Sequence, residues 1–371
     1  MKVLLVSPLP PPVGGISTWT VNVLNFFSNK SKGFEIIHQN TALKLMRITK
    51  EGIWNRVYFG IRESLRIISE LKKNIKKYSP TIIHLTSSAS LALFKDYFIL
   101  KIAERNKIPV IIHWHFGRIP SLFRLCNWEW KLLCIIIRKS QKSIVIDAKS
   151  FSSLISAGFS NVLNIPNPIG LDVELRTKEV KEQSPTKQPG RLIYVGHIIR
   201  EKGVFDLVEA CLQVPEIKEL VLIGPFEKTI GKDLQALSIS KENGVWLKLF
   251  GSMDKGQVLE NVKKSQILLL PSYTEGFPNV VIEAMAMGCA VIATDVGAIP
   301  EMLDIYSDKP CGTCVPVKNI EKLKDAILTL IKDPKIAEAM GKRGIERVLK
   351  NYTLKNIVEQ YKSVWINATK E

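Results

Sequence analysis

Short, unbroken runs of Val, Ile and Leu alternate along the whole chain with segments of helical periodicity, and this alternation constrains the fold more than any other feature. Runs such as VLLV at 3–6 and ILLL at 267–270 contain no polar residue. Unbroken apolar runs of this length are typical of parallel strands covered on both faces, and the helices between such strands complete βαβ units. The pattern therefore predicts an α/β fold, with enough strands for two doubly wound sheets.

The chain divides at a polar stretch near its middle. Residues 176–190 read RTKEVKEQSPTKQPG, and a new apolar strand, RLIYVG, follows at once. We therefore predict a linker near 172–190, a first Rossmann-like domain at 1–175 and a second at 176–352. A terminal helix at 353–371 can pack on either domain, including back on the first. The predicted strands are 3–6, 82–85, 110–113, 143–146, 192–195, 220–223, 245–249, 267–270 and 290–293, and the predicted helices include 17–27, 61–77, 91–107, 204–212, 258–264, 280–287 and 320–332.

Composition and cysteine spacing exclude several classes of protein. With 46% hydrophobic and 23% charged residues, the chain is not predominantly disordered. No run of about 18 uncharged apolar residues occurs, so no transmembrane helix is predicted. The N-terminal apolar stretch ends at Pro8, which fits a buried strand rather than an export signal. Cys311 and Cys314 form a lone CxxC without partners for zinc, and a reducing cytoplasm is the simplest compartment.

The positive charge is concentrated in the first half of the chain. Residues 1–175 carry 24 basic and 10 acidic side chains, a net charge of +14, whereas residues 176–371 carry 28 and 25, a net charge of +3. Such a bias costs self-repulsion, so it favours an anionic partner (nucleic acid, an anionic membrane surface or a phosphate-bearing acceptor) over a merely solvated surface. The excess gathers in 44–77 and 118–149. Within the latter, Trp128 and Trp130 beside basic residues suit a membrane-interface helix, although the neighbouring Leu and Ile residues also suit a core.

The strongest signal for chemistry is the segment PSYTEGFPNVVIEAMAMGCAVIATDVGAIPEM at 271–302. Its first residues follow a buried strand, and ligands in open α/β sheets bind at the carboxyl ends of strands. Gly276 permits close backbone approach, Pro278 suits a first helical turn and Asn279 can begin the helix, which leaves free N–H groups for an anion such as a diphosphate. Glu283 interrupts the apolar run VVIEAMAM. It either accepts hydrogen bonds in a cleft or is an acid favoured by the helix dipole.

The spacing Glu275-x7-Glu283 within this segment resembles the signature of the family 4 retaining glycosyltransferases. That family has the GT-B fold, in which two Rossmann-like doubly wound domains face each other across a cleft. Other stretches agree with the family in the same order: PVGGI at 12–16, WHFG at 114–117, IPNPI at 165–169 and VGHIIREKG at 195–203. The resemblance covers nearly the whole chain and is most specific for residues 192–302.

The resemblance implies roles for two groups of residues in the first domain. Gly14 and Gly15 would form a turn across the cleft from the leaving group of the donor, although a plain turn explains a glycine pair equally well. By alternation His113 and His115 lie on the same side of a strand end. His115 aligns best with the histidine that hydrogen-bonds the transferred sugar, and His113 is the second choice. A histidine satisfied within the structure is the alternative for both.

In the second domain, Lys202 corresponds to the cation that neutralises the diphosphate. The family has an arginine directly after the glycine of this loop, where this chain has His197; a protonated His197, or Arg200 from the same loop, would take its place. Glu275 is expected to hold hydroxyls of the transferred sugar, and Glu283 those of the ribose. The other donor-binding residues implied are Gly196, with Phe250, Gly251 and Met253 at the nucleobase and Gly276, Phe277, Pro278, Asn279 and Val280 at the phosphates.

The resemblance implies a cytoplasmic, retaining hexosyl- or N-acetylhexosaminyl-transferase, with His115, Glu275 and Lys202 as its catalytic residues. It would work at the inner face of the cytoplasmic membrane, in polysaccharide or lipopolysaccharide biosynthesis. The partners expected are a nucleotide-sugar donor, with a UDP-sugar favoured over a GDP-sugar, and a lipid-linked or glycan acceptor. No Asp-x-Asp follows a strand, which is consistent with metal-independent transfer, and no cofactor beyond the donor is expected.

Two other classes of protein stay open. A GT-B enzyme that processes nucleotide sugars, such as an epimerase, would turn over the donor without an acceptor. A basic, non-catalytic binding protein could retain the same fold and bind nucleic acid with a steep salt dependence. Nucleic-acid binding is not expected, because the interleaved aromatic and basic motifs of nucleic-acid modules are absent from the sequence.

Overall fold

The computed structural model of the protein describes residues 1–12, 14–30, 33–42, 53–183, 186–239 and 246–370. The chain forms two compact units, which we call the first and the second unit. The first unit combines Met1–Pro168 with Leu354–Glu371, and the second unit is Ile169–Thr353. Each unit contains its own parallel sheet with helices, so the α/β class predicted from the apolar runs is confirmed.

The first unit is built on six parallel strands. They are β1 (Lys2–Ser7), β2 (Glu35–Asn40), β3 (Ile82–Ser87), β4 (Val110–Trp114), β5 (Lys142–Val145) and β6 (Val162–Asn164), and the helices between them are α1 (Gly15–Lys30), α2 (Ile53–Tyr78), α3 (Ala92–Arg105), α4 (Ile119–Leu125), α5 (Trp128–Lys139) and α6 (Ala148–Ser156). The spatial order is β2-β1-β3-β4-β5-β6. Every residue of β3 is buried, as expected for a central strand with helices on both faces.

The second unit contains another six parallel strands. Its elements are α7 (Leu171–Gln183), β7 (Gln188–Val195), α8 (Val204–Leu212), β8 (Glu219–Ile223), α9 (Lys228–Ser238), β9 (Leu247–Phe250), α10 (Lys255–Lys264), β10 (Ser265–Leu270), α11 (Asn279–Ala286), β11 (Ala290–Thr294), α12 (Ile299–Met302), β12 (Gly312–Val315), α13 (Ile320–Lys332) and α14 (Pro334–Asn351). The order β12-β11-β10-β7-β8-β9 is that of a dinucleotide-binding sheet, with β7 and β10 at its centre.

Edge strands and short strands account for the elements that the apolar runs did not reveal. β2 has the mixed sequence EIIHQN and β6 has only three residues, and both lie at edges of the first sheet, where covering is incomplete. Helices α4, α6, α9, α12 and α14 were also not predicted. Residue 245, the start of one predicted strand, lies outside the described residues, and so do residues 44–52 of the basic segment 44–77.

The predicted linker at 172–190 is wrong for most of its length. Its residues form helix α7, which buries Val173, Thr177 and Val180 at spacings of four and three. The polar composition of this stretch reflects an amphipathic helix with a narrow buried stripe, because the remaining positions face water. The domain boundary predicted between 175 and 176 therefore falls inside a helix, and the second unit begins at Ile169.

The terminal helix α15 (Leu354–Ala368) packs in the first unit. Its buried residues Ile357, Tyr361, Val364 and Trp365 are those that the helical spacing identified. They contact α1, where the indole N–H of Trp19 donates a hydrogen bond to the hydroxyl of Tyr361 at 3.0 Å. The last helix of the chain thus completes the core around β1 rather than adding to the adjacent second unit in sequence.

The basic segment 118–149, for which an interface helix around Trp128 and Trp130 was considered, begins with two helices, α4 and α5. α4 ends at Cys126, whose positive φ of 47° turns the chain, and Asn127 caps α5 by accepting a hydrogen bond from the N–H of Trp130. Trp128 is exposed, but Trp130 is buried, so the expectation that both tryptophans serve a membrane interface is wrong for Trp130. None of the helices in the described ranges is sufficiently long and apolar to cross a membrane.

Candidate functional site

The second sheet has a switch point between β7 and β10. These strands are neighbours, and from them the chain proceeds to opposite edges of the sheet. Ligands of open α/β sheets bind outside the carboxyl ends of strands at such a point. The two loops that begin there are 196–203 and 271–278, which contain half of the donor-binding residues predicted from the sequence.

Two glycines bring the backbones of these loops together. Gly203 has a φ of +68°, and a Cβ atom there would lie 2.1 Å from the carbonyl oxygen of Pro271. Gly297, in the loop after β11, has a φ of +56°, and its Cβ would lie 2.4 Å from the carbonyl oxygens of both Glu275 and Gly276. Only glycine tolerates both the left-handed backbone and this approach. The loop that carries Glu275 is therefore held from two sides by backbone contact.

The structure brings Lys202 and Glu275 together. The ammonium of Lys202 lies 2.7 Å from Oε1 of Glu275, and both side chains keep partial exposure, 27% and 14%. Lys202 ends a short 3-10 turn just before α8, and Glu275 lies on the loop after β10. The two predicted charges therefore form a solvent-accessible ion pair at the switch point, where each can exchange its partner for a ligand.

Helix α11 begins next to this pair with an uncapped N-terminus. Pro278 precedes it without a side-chain cap, and N–H groups in a first helical turn have no acceptor within the helix. Oδ1 of Asn279, the first residue of α11, and Oγ of Ser272, in the preceding loop, are buried without a hydrogen-bond partner among the described residues. The loop and the first turn of α11 thus combine unpaired polar atoms with the positive end of a helix dipole, which suits an anionic ligand.

Glu283 lies on α11, in a largely apolar environment. Burial raises the pKa of its carboxyl to about 7, while Lys255, whose ammonium is 3.9 Å away, acts in the opposite direction and Asp172 adds to the increase. Lys255 is closer to Asp172, at 3.1 Å, so it compensates Glu283 only weakly. A carboxyl with this pKa is poised to gain from hydroxyl donors, since such hydrogen bonds favour its charged form.

The cations proposed to replace the usual arginine occupy different surroundings. His197 is exposed, and its backbone carbonyl accepts a hydrogen bond from the hydroxyl of Tyr194 at 2.7 Å. The guanidinium of Arg200 stacks over Phe205 at 4.0 Å and lies 3.6 Å from Asp233. Arg200 therefore already has an aromatic and an acidic partner, and both differ from the residues of the Lys202–Glu275 pair.

The residues expected at the nucleobase lie at the end of β9 and in the loop after it, at the same edge of the second sheet. The carbonyl of Phe250 accepts a hydrogen bond from the N–H of Gly224 at 3.2 Å, and 36% of Phe250 is exposed. Gly251 has open space around the position of a Cβ, whereas Met253 packs against the core. Gly196 directly follows β7 and has a φ of +154°, and Phe277, in the loop after β10, packs on Tyr352 with ring centroids 6.1 Å apart.

In the first unit, the structure places His113 and His115 side by side. Their ring centroids are 4.0 Å apart, at the carboxyl end of β4, and the ring of Trp114 lies in the cluster on the other face. The shared side predicted from alternation is confirmed. Burial lowers the pKa of His115 to about 3 and that of His113 well below its usual value, so both rings are neutral at physiological pH.

A further histidine was not identified from the sequence. His84, within the apolar strand β3, lies with Nε2 3.3 Å from Nδ1 of His113, and its Nδ1 accepts a hydrogen bond from the indole of Trp365. A polar residue in an otherwise apolar strand was the available signal. Nothing in the sequence indicated that Trp365, some 280 residues later, would be its partner.

Two smaller predictions concern glycines and metals. Gly15 begins α1, and the N–H of Gly14 donates to Oγ of Ser17 at 2.9 Å, so the glycine pair forms a turn before a helix; Val13 lies outside the described residues. In the part of the chain that the structure describes, no three His, Cys, Asp or Glu side chains are grouped as metal ligands.

Sequence comparison finds similarity to glycosyltransferases. Residues 176–347 match the family model for glycosyl transferases group 1. The sulfoquinovosyl transferase SQD2 of Arabidopsis thaliana is 25% identical over 313 residues, 80% of this chain and 58% of that protein. The putative teichuronic acid biosynthesis glycosyltransferase TuaC of Bacillus subtilis is 27% identical over 248 residues, which cover 64% of this chain and 59% of the length of TuaC. The chain thus spans less than two thirds of the length of either relative.

Structure comparison extends over the whole chain. Sucrose-phosphate synthase of Thermosynechococcus elongatus superposes with a TM-score of 0.77 at 18% identity, covering 99% of this chain and 98% of that one. HepE of Anabaena, in complex with UDP, gives a TM-score of 0.74 at 15% identity and covers 99% and 100% of the two chains. The chain therefore has the GT-B fold, and the match of its second unit supports a glycosyltransferase of this type.

Proposed function

We propose that the protein is a family 4 retaining glycosyltransferase that transfers a hexosyl or N-acetylhexosaminyl group from a nucleotide-diphosphate sugar to a hydroxyl of a lipid-linked or polysaccharide acceptor. The observation that carries the proposal is the meeting of Lys202, Glu275 and the start of α11 at the switch point of the second sheet. A cation and free N–H groups suit the diphosphate of such a donor, and a carboxylate suits the hydroxyls of its sugar.

Donor binding would exchange the partners of the Lys202–Glu275 pair. The ammonium of Lys202 would turn to a diphosphate oxygen, and the freed carboxylate of Glu275 would accept hydrogen bonds from hydroxyls of the transferred sugar. Because both side chains keep some contact with water, the exchange costs less than it would for a fully buried pair. Glu283 would accept hydrogen bonds from the ribose, and Phe250, Gly251 and the residues around them would contact the base.

The proposed transfer proceeds on one face of the sugar, without a protein nucleophile or a metal ion. The bond between the anomeric carbon and the leaving phosphate oxygen breaks while the acceptor oxygen bonds to the same carbon, and the phosphate oxygen takes the acceptor's proton. Lys202 and the N–H groups of residues 276–280 would stabilise the charge on the leaving diphosphate. His115 is the candidate contact of the transferred sugar.

A UDP-sugar is the proposed donor, and a cell-surface glycan the proposed product. The UDP in the structure of HepE supports the choice of base. The teichuronic acid pathway named for TuaC supports the choice of product class.

Thermal unfolding with UDP, GDP, ADP and dTDP, each with and without EDTA, tests the donor site. We expect UDP alone to raise the midpoint, to the same extent with EDTA. Lys202→Met should abolish the increase, because the diphosphate loses its cation. Lys178→Met removes an equally charged but 55% exposed side chain from α7 and should retain it. An equal increase in both variants would sink the assignment of Lys202, and turnover of the donor without any acceptor would favour an epimerase.

We further propose that the first unit docks on an anionic membrane surface. A cluster of exposed apolar side chains lies at α3 and at the junction of α4 and α5, and the rings of Phe94 and Trp128 stack there at 5.8 Å. The cluster consists of Leu91, Phe94, Phe98, Leu125 and Trp128, each at least 50% exposed. The exposed basic residues Lys101, Arg124 and Lys131 lie on the same helices or beside them. Apolar rings to insert and cations for lipid phosphates characterise an interfacial surface.

Flotation with vesicles of phosphatidylglycerol or phosphatidylcholine measures this docking. The protein should float with the anionic vesicles at low salt and be released at high salt. The double variant Phe94→Ser with Trp128→Ser should lose most of the binding, whereas Tyr306→Ser, which removes an 83% exposed ring from the second unit, should keep it. The membrane proposal fails if wild-type protein stays unbound at low salt, or if it binds both vesicles equally.

A further inference from the structure

A chain of hydrogen bonds runs through the core of the first unit, from the terminal helix to the end of β4. The indole N–H of Trp365 donates to Nδ1 of His84 at 2.9 Å, and Nε2 of His84 lies 3.3 Å from Nδ1 of His113. All three side chains are almost completely buried, with exposures of 1%, 0% and 0%. Water therefore does not compete for these bonds.

Only one arrangement of protons fits these hydrogen bonds. An indole N–H can only donate, so Nδ1 of His84 must be without a proton, and the proton of the neutral ring lies on Nε2. That N–H donates to Nδ1 of His113, which must in turn carry its own proton on Nε2. Both rings are neutral, because burial lowers the pKa of His84 to about 3 and that of His113 well below its usual value. A group fixed on α15 thus determines the tautomer of a residue on β4.

At the His113 end of this series of hydrogen bonds, the last N–H has no acceptor. Nε2 of His113 is buried and has no hydrogen-bond partner among the described residues, and the same holds for both ring nitrogens of His115 beside it. A buried N–H left unpaired is energetically costly, so such a group calls for a hydrogen-bond acceptor from a ligand. The two rings lie at the carboxyl end of β4, which is the edge of an open α/β sheet where ligands bind.

We propose that Trp365 and His84 are positioning residues, which hold His113 in the Nε2–H tautomer so that it presents a hydrogen-bond donor to an oxygen of the bound sugar. The other tautomer of His113 would present a lone pair, which an ether or carbonyl oxygen cannot use. The tautomer follows from the hydrogen bonds alone, whereas the identity of the ligand rests on the proposed function. The terminal helix then has a role in the site in addition to its packing.

Nitrogen NMR of the full-length protein with ¹⁵N-labelled histidine tests the tautomer directly. The chain has five histidines, and the resonances of His113 are assigned by their loss in His113→Gln. We expect the pattern of a neutral ring protonated on Nε2. A pattern protonated on Nδ1 in the wild-type protein would overturn the proposal, whatever the variants do.

Trp365→Phe provides the variant, because it keeps an aromatic ring and removes the indole N–H together with the pyrrole part of the side chain. His84 then loses its fixed donor, and His113 should show a mixture of tautomers. Trp19→Phe is the matched control, since it removes an indole N–H from the same core that donates to Tyr361 and not to a histidine. His84→Gln keeps an amide donor and should keep the tautomer of His113. Identical His113 spectra in Trp365→Phe and the wild type would contradict the relay.

The ligand is tested with UDP-glucose and UDP as probes on the same sample. UDP-glucose should shift the Nε2–H resonance of His113, while UDP alone should not, because the proposed contact is with the sugar. If both bind and neither shifts this resonance, the contact with the donor sugar is excluded, although the tautomer result stands. If neither binds, the proposed donor fails, and this outcome is distinct from a wrong tautomer.

Discussion

Single side chains at the switch point are held in states that a ligand would change. Lys202 and Glu275 neutralise each other, and Glu283 is a carboxyl whose charge is poorly compensated. The weak compensation follows from distance, since Lys255 is 3.1 Å from Asp172 but 3.9 Å from Glu283. Such a carboxyl lowers the free energy of unfolding of the ligand-free protein at neutral pH, and hydrogen bonds from a bound ribose would offset this loss.

Glu283→Gln should therefore stabilise the protein in a pH-dependent way. The pKa of this carboxyl is raised from 4.5 to about 7 on folding, so the unfolded chain loses the proton first and the free energy of unfolding falls as pH rises between these values. Above the folded pKa the deficit is constant, and below the unfolded pKa it vanishes. The variant should gain about 2 kcal/mol over the wild type at about pH 8 and almost nothing at about pH 4. Urea denaturation at both pH values measures the difference, and an equal gain at both would contradict the raised pKa.

At the scale of the elements, the loops after β7, β10 and β11 are joined to one another by backbone contacts. The N–H of Tyr273 donates to the carbonyl of Glu201 at 3.0 Å, and the N–H of Ala298 donates to that of Gly276 at 2.9 Å. These bonds and the close approaches at Gly203 and Gly297 join the carboxyl ends of three strands. Each loop is thus placed by its neighbours, which is why a contact at Gly297 bears on the position of Glu275.

Gly297→Ala should disturb the site from a loop that bears no predicted site residue. The added Cβ would lie 2.4 Å from two carbonyl oxygens, in a left-handed backbone, so the loop that carries Glu275 must move. We expect a loss of about 2 kcal/mol or more in the free energy of unfolding, together with loss of stabilisation by UDP. Gly60→Ala, on helix α2 with no atom within 4 Å of the new Cβ, serves as the control and should be neutral or slightly stabilising. Equal stability of the two variants would refute the close approach.

On the scale of the whole molecule, the chain returns to its first unit at its end. α15 supplies Tyr361 and Trp365 to a core that also contains Trp19 and residues of β1, β3 and β4. The second unit, by contrast, is one continuous stretch, Ile169–Thr353. The two units therefore differ in what each needs in order to fold alone.

Fragments of the chain should reveal this difference. Residues 169–353 should fold cooperatively by themselves, whereas 1–168 should aggregate or bind hydrophobic dyes, because the face that α15 covers would be exposed. Joining 354–371 to 1–168 through a flexible linker should restore a cooperative thermal transition. Circular dichroism and gel filtration of the three fragments provide the measurement. Cooperative folding of 1–168 without the helix would show that α15 is dispensable for this core.

The class of the fold and the composition of the donor loop were accessible from the sequence because both are local. Unbroken apolar runs indicate buried parallel strands wherever they occur, and the spacing of Glu275 and Glu283 on a strand–loop–helix segment needs no distant partner. The same locality explains the errors. The polar composition of α7 predicts a linker because only three of its residues are buried. β2 and β6 are not predicted from apolar runs because edge strands need few apolar residues.

What only the tertiary structure decided involves partners far apart in the chain. Lys202 meets Glu275, and Gly297 meets the same loop, because three parallel strands place their carboxyl ends at one edge. Trp365 meets His84 because a terminal helix packs back into the first unit, which helical periodicity left open. A sequence pattern reports the local energy of a segment, whereas contacts between distant segments depend on how the segments pack. The sequence by itself therefore determined the class of the fold and the candidate chemistry of this protein, and the packing decided which of those groups act together.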